Sequence, residues 1–184
     1  MYFRLSMDLV DGNVFVKPVS NKFVSLISGA TLPADTPVPF QYAMEVDLDQ
    51  DGNEQAPRFF PFISPPCIMT AKFLDVLRGA GVDNIQTFPA ILTDSRTGAQ
   101  CTDYSTVNVI GLVACANVPA SDTSPLADVA YFHKLVIDPK RTGGLLLFRL
   151  AESQSEIIIH EKVARAIEAA QFEGVVLEPL EEAT

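Results

Sequence analysis

The residues best suited to chemistry lie in a short acidic segment, in which Asp47, Asp49 and Asp51 alternate and a glycine follows. That spacing is the first half of the D-x-D-x-D-G calcium-loop pattern. The second half fails, because Arg58 occupies the position at which such a loop needs a bidentate glutamate. The segment alone therefore cannot supply the roughly six to eight oxygens that calcium takes. We predict a solvated turn or an acidic contact patch, and we keep the three aspartates as a weak candidate metal site.

The formal net charge is −10, and most of it is local. Segment 45–54 carries five carboxylates and no basic residue, and a second acidic group lies close to the C-terminus. Nucleic acid and anionic membranes need a positive protein face, so both are excluded as partners, whereas a basic protein surface fits. The predicted contact residues are Glu45, Asp47, Asp49, Asp51 and Glu54, followed by Glu178, Glu181 and Glu182.

The sequence has none of the common signatures of catalysis. Its three cysteines are odd in number and lack C-x-x-C spacing, and it holds only two histidines, so a disulfide framework and a structural zinc site are not expected. A G-x-S-x-G elbow, a phosphate loop and a G-x-G-x-x-G fingerprint are all missing. We predict that the protein is not an enzyme, has no catalytic residue and takes no cofactor.

The apolar stretches are short. The longest, residues 109–116, is far below the roughly 20 residues of a spanning helix, and the N-terminus does not resemble a secretory signal. These patterns, together with the cysteine content, predict a cytoplasmic protein with no membrane partner.

The elements that must position these residues begin with an alternating strand at 2–9. An Asp-Gly pair follows, and residues 14–18 can return as a second strand. We therefore predict an N-terminal hairpin and loop over residues 1–40. Residues 104–116, which are β-branched and apolar, predict one long buried strand.

Residues 68–89 and 158–179 align without a gap at a constant offset. Each segment predicts a strand, a helix, a second strand and a closing proline, so we interpret the two as pseudo-repeat units that share a sheet. The prediction for the whole chain is one α+β domain over residues 1–184. Its mixed, mainly antiparallel sheet would carry the N-terminal hairpin and the two strand–helix–strand units.

The order of several segments adds a family resemblance. They are Pro61-Phe62-Ile63-Ser64, the predicted strand Tyr104 to Ala116, the motif Lys134-Leu135-Val136-Ile137-Asp138, the motif Leu147-Phe148-Arg149-Leu150, and the run from Ile157 to Ile167. In this order the chain resembles bacterial immunity protein family eleven, also called domain of unknown function 1629 or the Myxococcus-type immunity domain. The resemblance covers about residues 40–180.

What the resemblance implies is a role in polymorphic toxin systems, including those that use type VI secretion. The protein would bind and neutralise a cognate toxin, encoded by an adjacent gene, by stoichiometric protein–protein interaction. The resemblance carries over no catalytic residue; Lys134, Asp138 and Arg149 match its charged positions, as structural or contact residues. Two alternatives stay open: a small-molecule-binding domain or enzyme with a pocket between the pseudo-repeats, and a calcium-dependent interaction module.

Overall fold

The computed structural model describes residues 1–8, 14–19, 25–46, 51, 53, 57–126 and 129–183. This part of the chain is mostly β, with two α-helices. In chain order the elements are β1 (Tyr2–Met7), β2 (Val14–Pro18), β3 (Phe40–Val46), β4 (Phe62–Ile63), β5 (Ile68–Thr70), α1 (Ala71–Gly79), β6 (Ile85–Asp94), β7 (Gln100–Cys101), β8 (Tyr104–Val109), β9 (Leu112–Val113), β10 (Asp122–Leu126), β11 (Val129–Lys134), β12 (Val136–Ile137), β13 (Leu147–Leu150), β14 (Ser153–His160), α2 (Glu161–Ala169), β15 (Val175–Pro179) and β16 (Glu181–Glu182).

The strands form two large sheets and two small ribbons. One large sheet has five strands in the order β15-β1-β14-β13-β9, and the other has seven, in the order β2-β3-β6-β8-β5-β4 with β7 paired to β6. The ribbons are β10-β11 and β12-β16. Three pairs are parallel, namely β3 with β6, β9 with β13 and β12 with β16, and the others are antiparallel. The predicted mixed, mainly antiparallel pairing is confirmed.

The predicted N-terminal hairpin is wrong. Strand β1 pairs with β14, where Tyr2 faces His160, and with β15, where Phe3 faces Pro179. Both edges of β1 are therefore occupied, and β2 pairs instead with β3 in the other large sheet. The physical reason is burial on both faces of β1. Tyr2 and Leu5 are each about 5% exposed or less and belong to different core clusters, which a two-stranded hairpin could not supply.

The predicted long strand at 104–116 is divided between the two large sheets. It follows β8 as far as Val109 and resumes as β9, which pairs with β13. Gly111 makes the change of direction possible, because its φ of 122° lies in a region that side chains rarely adopt. Asn84 holds the crossing, since its amide donates to the carbonyl of Ile110 at 2.6 Å and to that of Leu147 at 2.8 Å.

Two strand–helix–strand segments contribute the helices. In the first, β5 and β6 lie on either side of β8, and in the second, β14 and β15 lie on either side of β1. The hydroxyl of Thr70 caps α1 by accepting from the Phe73 amide at 3.4 Å. His160 caps α2, where its Nδ1 accepts from the Lys162 amide at 3.2 Å.

The largest core cluster lies where the two helices meet the sheets. Leu77 of α1 and Ile167 of α2 are 0% and 2% exposed, and both belong to this cluster. It also contains Leu5, Val107 and Ile159 from the strands, so it joins the helices to both large sheets. Neither helix of the described residues is long and apolar enough to cross a membrane.

Candidate functional site

The acidic segment at 45–54 begins inside a strand. Glu45 belongs to β3 and is about half exposed, and its Oε2 accepts from Lys17 Nζ of β2 at 2.7 Å. Asp51 is exposed. Asp47, Asp49 and Glu54 lie outside the described residues. One of the five predicted contact carboxylates is therefore shown to be a surface strand residue with a basic neighbour.

The three C-terminal candidates each have an intramolecular cation. Glu178 of β15 pairs with Arg4 Nη1 at 3.1 Å, and Glu181 of β16 pairs with Lys134 Nζ at 2.8 Å. Glu182 lies 3.4 Å from the N-terminal amine of Met1. These carboxylates are at least 31% exposed. Their negative charge is balanced locally, so this surface is less acidic than its sequence suggests.

Arg4 is the centre of this C-terminal ion-pair cluster. It is 14% exposed and reaches Glu156 Oε2 at 3.1 Å and Glu178 Oε2 at 3.1 Å, and its Nη2 donates to the carbonyl of Phe132 at 3.3 Å. Burial raises the pKa of Glu156 above its ordinary value, Arg4 counteracts the shift, and Glu178 adds to it. The arrangement fastens β15 and β14 to β1 and has the character of a structural cluster.

The described residues contain no group of three or more histidine, cysteine or acidic side chains that could hold a metal ion. Of the weak metal candidates, Asp51 alone falls within that part of the chain, while Asp47 and Asp49 lie outside it.

A cavity of about 700 Å³ is the feature that sequence reasoning missed. It is lined by β2 and β3 of the seven-stranded sheet, by β13 and β14 of the five-stranded sheet, and by the segments around residues 25–27, 37–39 and 64–67. One of the two alternatives left open by the sequence places a pocket between the two pseudo-repeat units. The helices of those units instead pack through a shared core cluster, and the cavity lies elsewhere.

Arg149 lines this cavity and is only 2% exposed. Its Nη1 donates to the carbonyl of Gln154 at 2.9 Å, and its Nε has no hydrogen-bond partner within the described part of the chain. Among the described residues, no carboxylate lies within salt-bridge distance of it. The sequence signal was present, because an arginine interrupts the otherwise apolar strand Leu147–Leu150. That interruption matched a charged position of the resembled family and was interpreted only as a structural or contact residue.

Comparison with known proteins gives one result that covers the chain. The model of the Immunity protein family (Imm11) matches residues 1–182. No curated protein matches significantly. Since the family model covers almost all of the 184 residues, the chain is a member of the Immunity protein family (Imm11).

Proposed function

We propose that this protein neutralises a cognate bacterial toxin by binding it stoichiometrically. The observation that carries the proposal is the family match over residues 1–182, because an immunity family indicates protection against a toxin and a non-enzymatic inhibitor role. The partner would be the toxin of a polymorphic toxin system of the domain of unknown function 1629 or Myxococcus type. We further propose that the toxin is encoded next door, is delivered by type VI secretion, and meets this protein in the cytoplasm.

The favoured contact surface is the acidic segment 45–54 together with the strand beside it. In the pairing of β2 with β3, Phe15 lies directly opposite Glu45. Phe15 is 40% exposed, which leaves a large aromatic side chain next to the start of the acidic segment. Exposed aromatic residues supply binding energy as anchors, and surface carboxylates accelerate encounter with a basic partner. The proximity of the exposed Phe15 side chain to the acidic segment supports this surface as the toxin-binding site.

The second candidate surface is formed by Glu178, Glu181 and Glu182. It ranks lower because all three of these carboxylates already face a cation of the same chain. A toxin would have to compete with those contacts to use them. Local charge balance also weakens the long-range attraction on which electrostatic steering depends. On the first surface Glu45 also has a cationic partner, Lys17, but the segment that follows it adds four more carboxylates and no basic residue of its own.

The first test is co-expression with the neighbouring toxin, which should rescue cell growth. The second is an association-rate measurement with the triple variant Asp47→Asn, Asp49→Asn and Asp51→Asn. Exposed charges act mainly on the association rate, so we expect association at low salt to slow by on the order of tenfold and its salt dependence to flatten.

A matched control separates local charge from total charge. Asp35→Asn, Asp75→Asn and Asp83→Asn make the same change in net charge at three exposed positions elsewhere. If both triple variants slow association equally, the acidic segment has no special role. Failure of rescue, together with the absence of a detectable complex, would refute the immunity function itself.

Phe15→Ala tests the anchor separately. Loss of a central aromatic anchor costs about 2 kcal/mol or more, which is about 30-fold in affinity, and it appears mainly as faster dissociation. Val118→Ala is the control, because Val118 is also exposed, at 46%, and lies far along the chain. Equal dissociation rates for the Phe15 variant and the wild type would move the contact surface elsewhere.

We also propose that segments 68–89 and 158–179 are a pseudo-repeat that forms the frame for this surface. The helices α1 and α2 have the same length and keep the constant offset seen in the sequence. Their contacts are reciprocal as well: Lys72 Nζ lies 5.4 Å from the Phe172 ring, and its counterpart Lys162 lies against Gly81. Each lysine thus reaches the segment that follows the other helix, as expected for two related units around a local two-fold axis.

A further inference from the structure

The cavity between the two large sheets contains an electrostatic imbalance. Arg149 is only 2% exposed, and the carbonyl of Gln154 is the only acceptor that its guanidinium meets among the described residues. A guanidinium has five N–H donors and stays charged under ordinary conditions. Burying such a charge without an anion is costly, so native arginines at this depth are normally paired.

No carboxylate of the described residues compensates the charge of Arg149. The titratable group that interacts most directly with Arg149 is the thiol of Cys67, which also lines the cavity. Burial raises the pKa of the Cys67 thiol to about 11, although Arg149 pulls it down. At neutral pH the thiol is therefore protonated and neutral, and it leaves the charge of Arg149 unbalanced.

The rest of the lining is mostly apolar. It includes Val16, Leu26, Ile27 and Phe40, with several prolines and a few hydroxyls, among them Ser155. The volume of about 700 Å³ falls within the range typical of small-molecule sites, roughly 300–1,000 Å³. Ile27 is 45% exposed, so the lining reaches the surface at residues 25–27.

We propose that this cavity binds an amphipathic carboxylate, with the acid group on Arg149 and a hydrocarbon body along the apolar walls. Carboxylates match the planar fork of a guanidinium and form strong charge-assisted hydrogen bonds with it. The apolar walls favour a hydrocarbon chain over a small hydrophilic anion. The cavity shares β2 and β3 with the acidic contact surface, but neither Phe15 nor Glu45 is among its lining residues. The proposal therefore goes beyond toxin binding and does not depend on it.

The test uses decanoate as the probe, 1-decanol as its uncharged counterpart and acetate as the anion without a body. The chain has no tryptophan, so Ile27→Trp places a single fluorescent reporter at the rim of the cavity. We expect decanoate to change the emission of this tryptophan saturably. Decanoate should bind about 10- to 100-fold more tightly than decanol, because a hydrogen bond to a charged group contributes an affinity difference of that size. Acetate should not saturate at the same concentrations.

Two variants provide the controls. Val118→Trp carries a reporter at an exposed position outside the cavity lining, and its emission should not respond. Arg149→Met, added to the Ile27→Trp protein, should bind decanoate no more tightly than decanol, because the carboxylate then has no cation to meet. A buried charge can often be replaced by an apolar side chain of similar volume without loss of folding. If circular dichroism shows that this variant does not fold, the comparison of decanoate with decanol in the Ile27→Trp protein still decides.

Equal affinity for decanoate and decanol with Arg149 present, or no saturable response at all, would overturn the proposal. So would decanoate binding that is unchanged in a folded Arg149→Met variant. A third contrary result has two parts: the Ile27→Trp protein does not bind decanoate, and the Arg149→Met variant loses toxin binding. It would assign Arg149 to an acidic side chain of the toxin instead of a small carboxylate.

Discussion

The loop between α2 and β15 offers a sharp test of the packing. Gly174 has a φ of 71°, its carbonyl accepts from the Asp8 amide at 3.0 Å, and a Cβ on it would overlap the ring of Phe60. Phe60 is 3% exposed, so the ring has little room to move away. Gly174→Ala therefore combines backbone strain with a steric clash.

A matched glycine separates these two effects. Gly98 has a φ of 72°, almost the same as that of Gly174, but no atom of the described residues lies within 4 Å of the place its Cβ would take. Gly98→Ala should cost only the left-handed backbone penalty of about 1–2 kcal/mol. Gly174→Ala should cost that amount plus an overpacking term of about 1–3 kcal/mol, or about 2–5 kcal/mol together.

The assay is thermal unfolding, followed by denaturant titration of the same variants. For a chain of this size, 1 kcal/mol corresponds to a change in melting temperature of about 2–4 °C. We expect losses of about 2–8 °C for Gly98→Ala and about 4–20 °C for Gly174→Ala. In the Phe60→Ala background the ring is absent, so Gly174→Ala should cost no more than Gly98→Ala does. Equal costs for the two glycine variants in the wild-type background, or no relief by Phe60→Ala, would refute the clash.

Three further predictions concern the core and the titrating groups. Ile167→Ala should lower the free energy of unfolding by about 2–5 kcal/mol, whereas Glu168→Ala, at the exposed neighbouring position, should change it by no more than about 0.5 kcal/mol. If Ile167→Ala leaves the free energy of unfolding unchanged, the buried face of α2 is misassigned. In the folded protein a maleimide should label Cys101 first, because the other two cysteines are buried and burial raises the pKa of Cys115 to about 12. Equal labelling rates for all three thiols would contradict this order of reactivity. The raised pKa of Glu156 means that its stabilising contribution is present below the unfolded value of 4.5 and is lost as pH rises through the folded value. The melting temperature of wild type should therefore fall relative to that of Glu156→Gln as the pH rises above 4.5.

Local patterns in the sequence predict individual elements well, because the periodicity of a strand or helix is set by its own residues. The alternation at 2–9 yields β1, and the strand–helix–strand patterns at 68–89 and 158–179 yield α1 and α2. The choice of partner strand is different. Asp11-Gly12 favours a hairpin locally, yet β1 has apolar groups on both faces and gains more by pairing with the isoleucine-rich β14, far along the chain.

In the candidate site too, local features could be predicted from the sequence, whereas features that depend on the tertiary fold could not. The acidic segment could be located from composition, since charge is a property of single residues. The cavity could not, because its lining comes from segments as distant as Val16 and Ser155, which only the tertiary fold brings together. Gly111 illustrates a signal that was present but ambiguous. A glycine within an apolar run is compatible with a single strand that it weakens, and also with a chain that passes from one sheet to another. The second outcome requires β13 to lie where β9 can pair with it, which the local sequence does not determine.

The C-terminal glutamates can now be ordered as experimental targets. An exposed ion pair contributes about 0–1 kcal/mol, so Glu181→Gln and Glu182→Gln should leave the fold intact and test the second surface cleanly. Glu178→Gln is a poorer probe, because it removes one of the two carboxylates that hold Arg4. The remaining partner, Glu156, is itself penalised by burial in its charged form, so the cluster around β1 would change along with the surface. A loss of toxin binding in the Glu178 variant would therefore support a contact role only if the Glu181 and Glu182 variants lose binding as well.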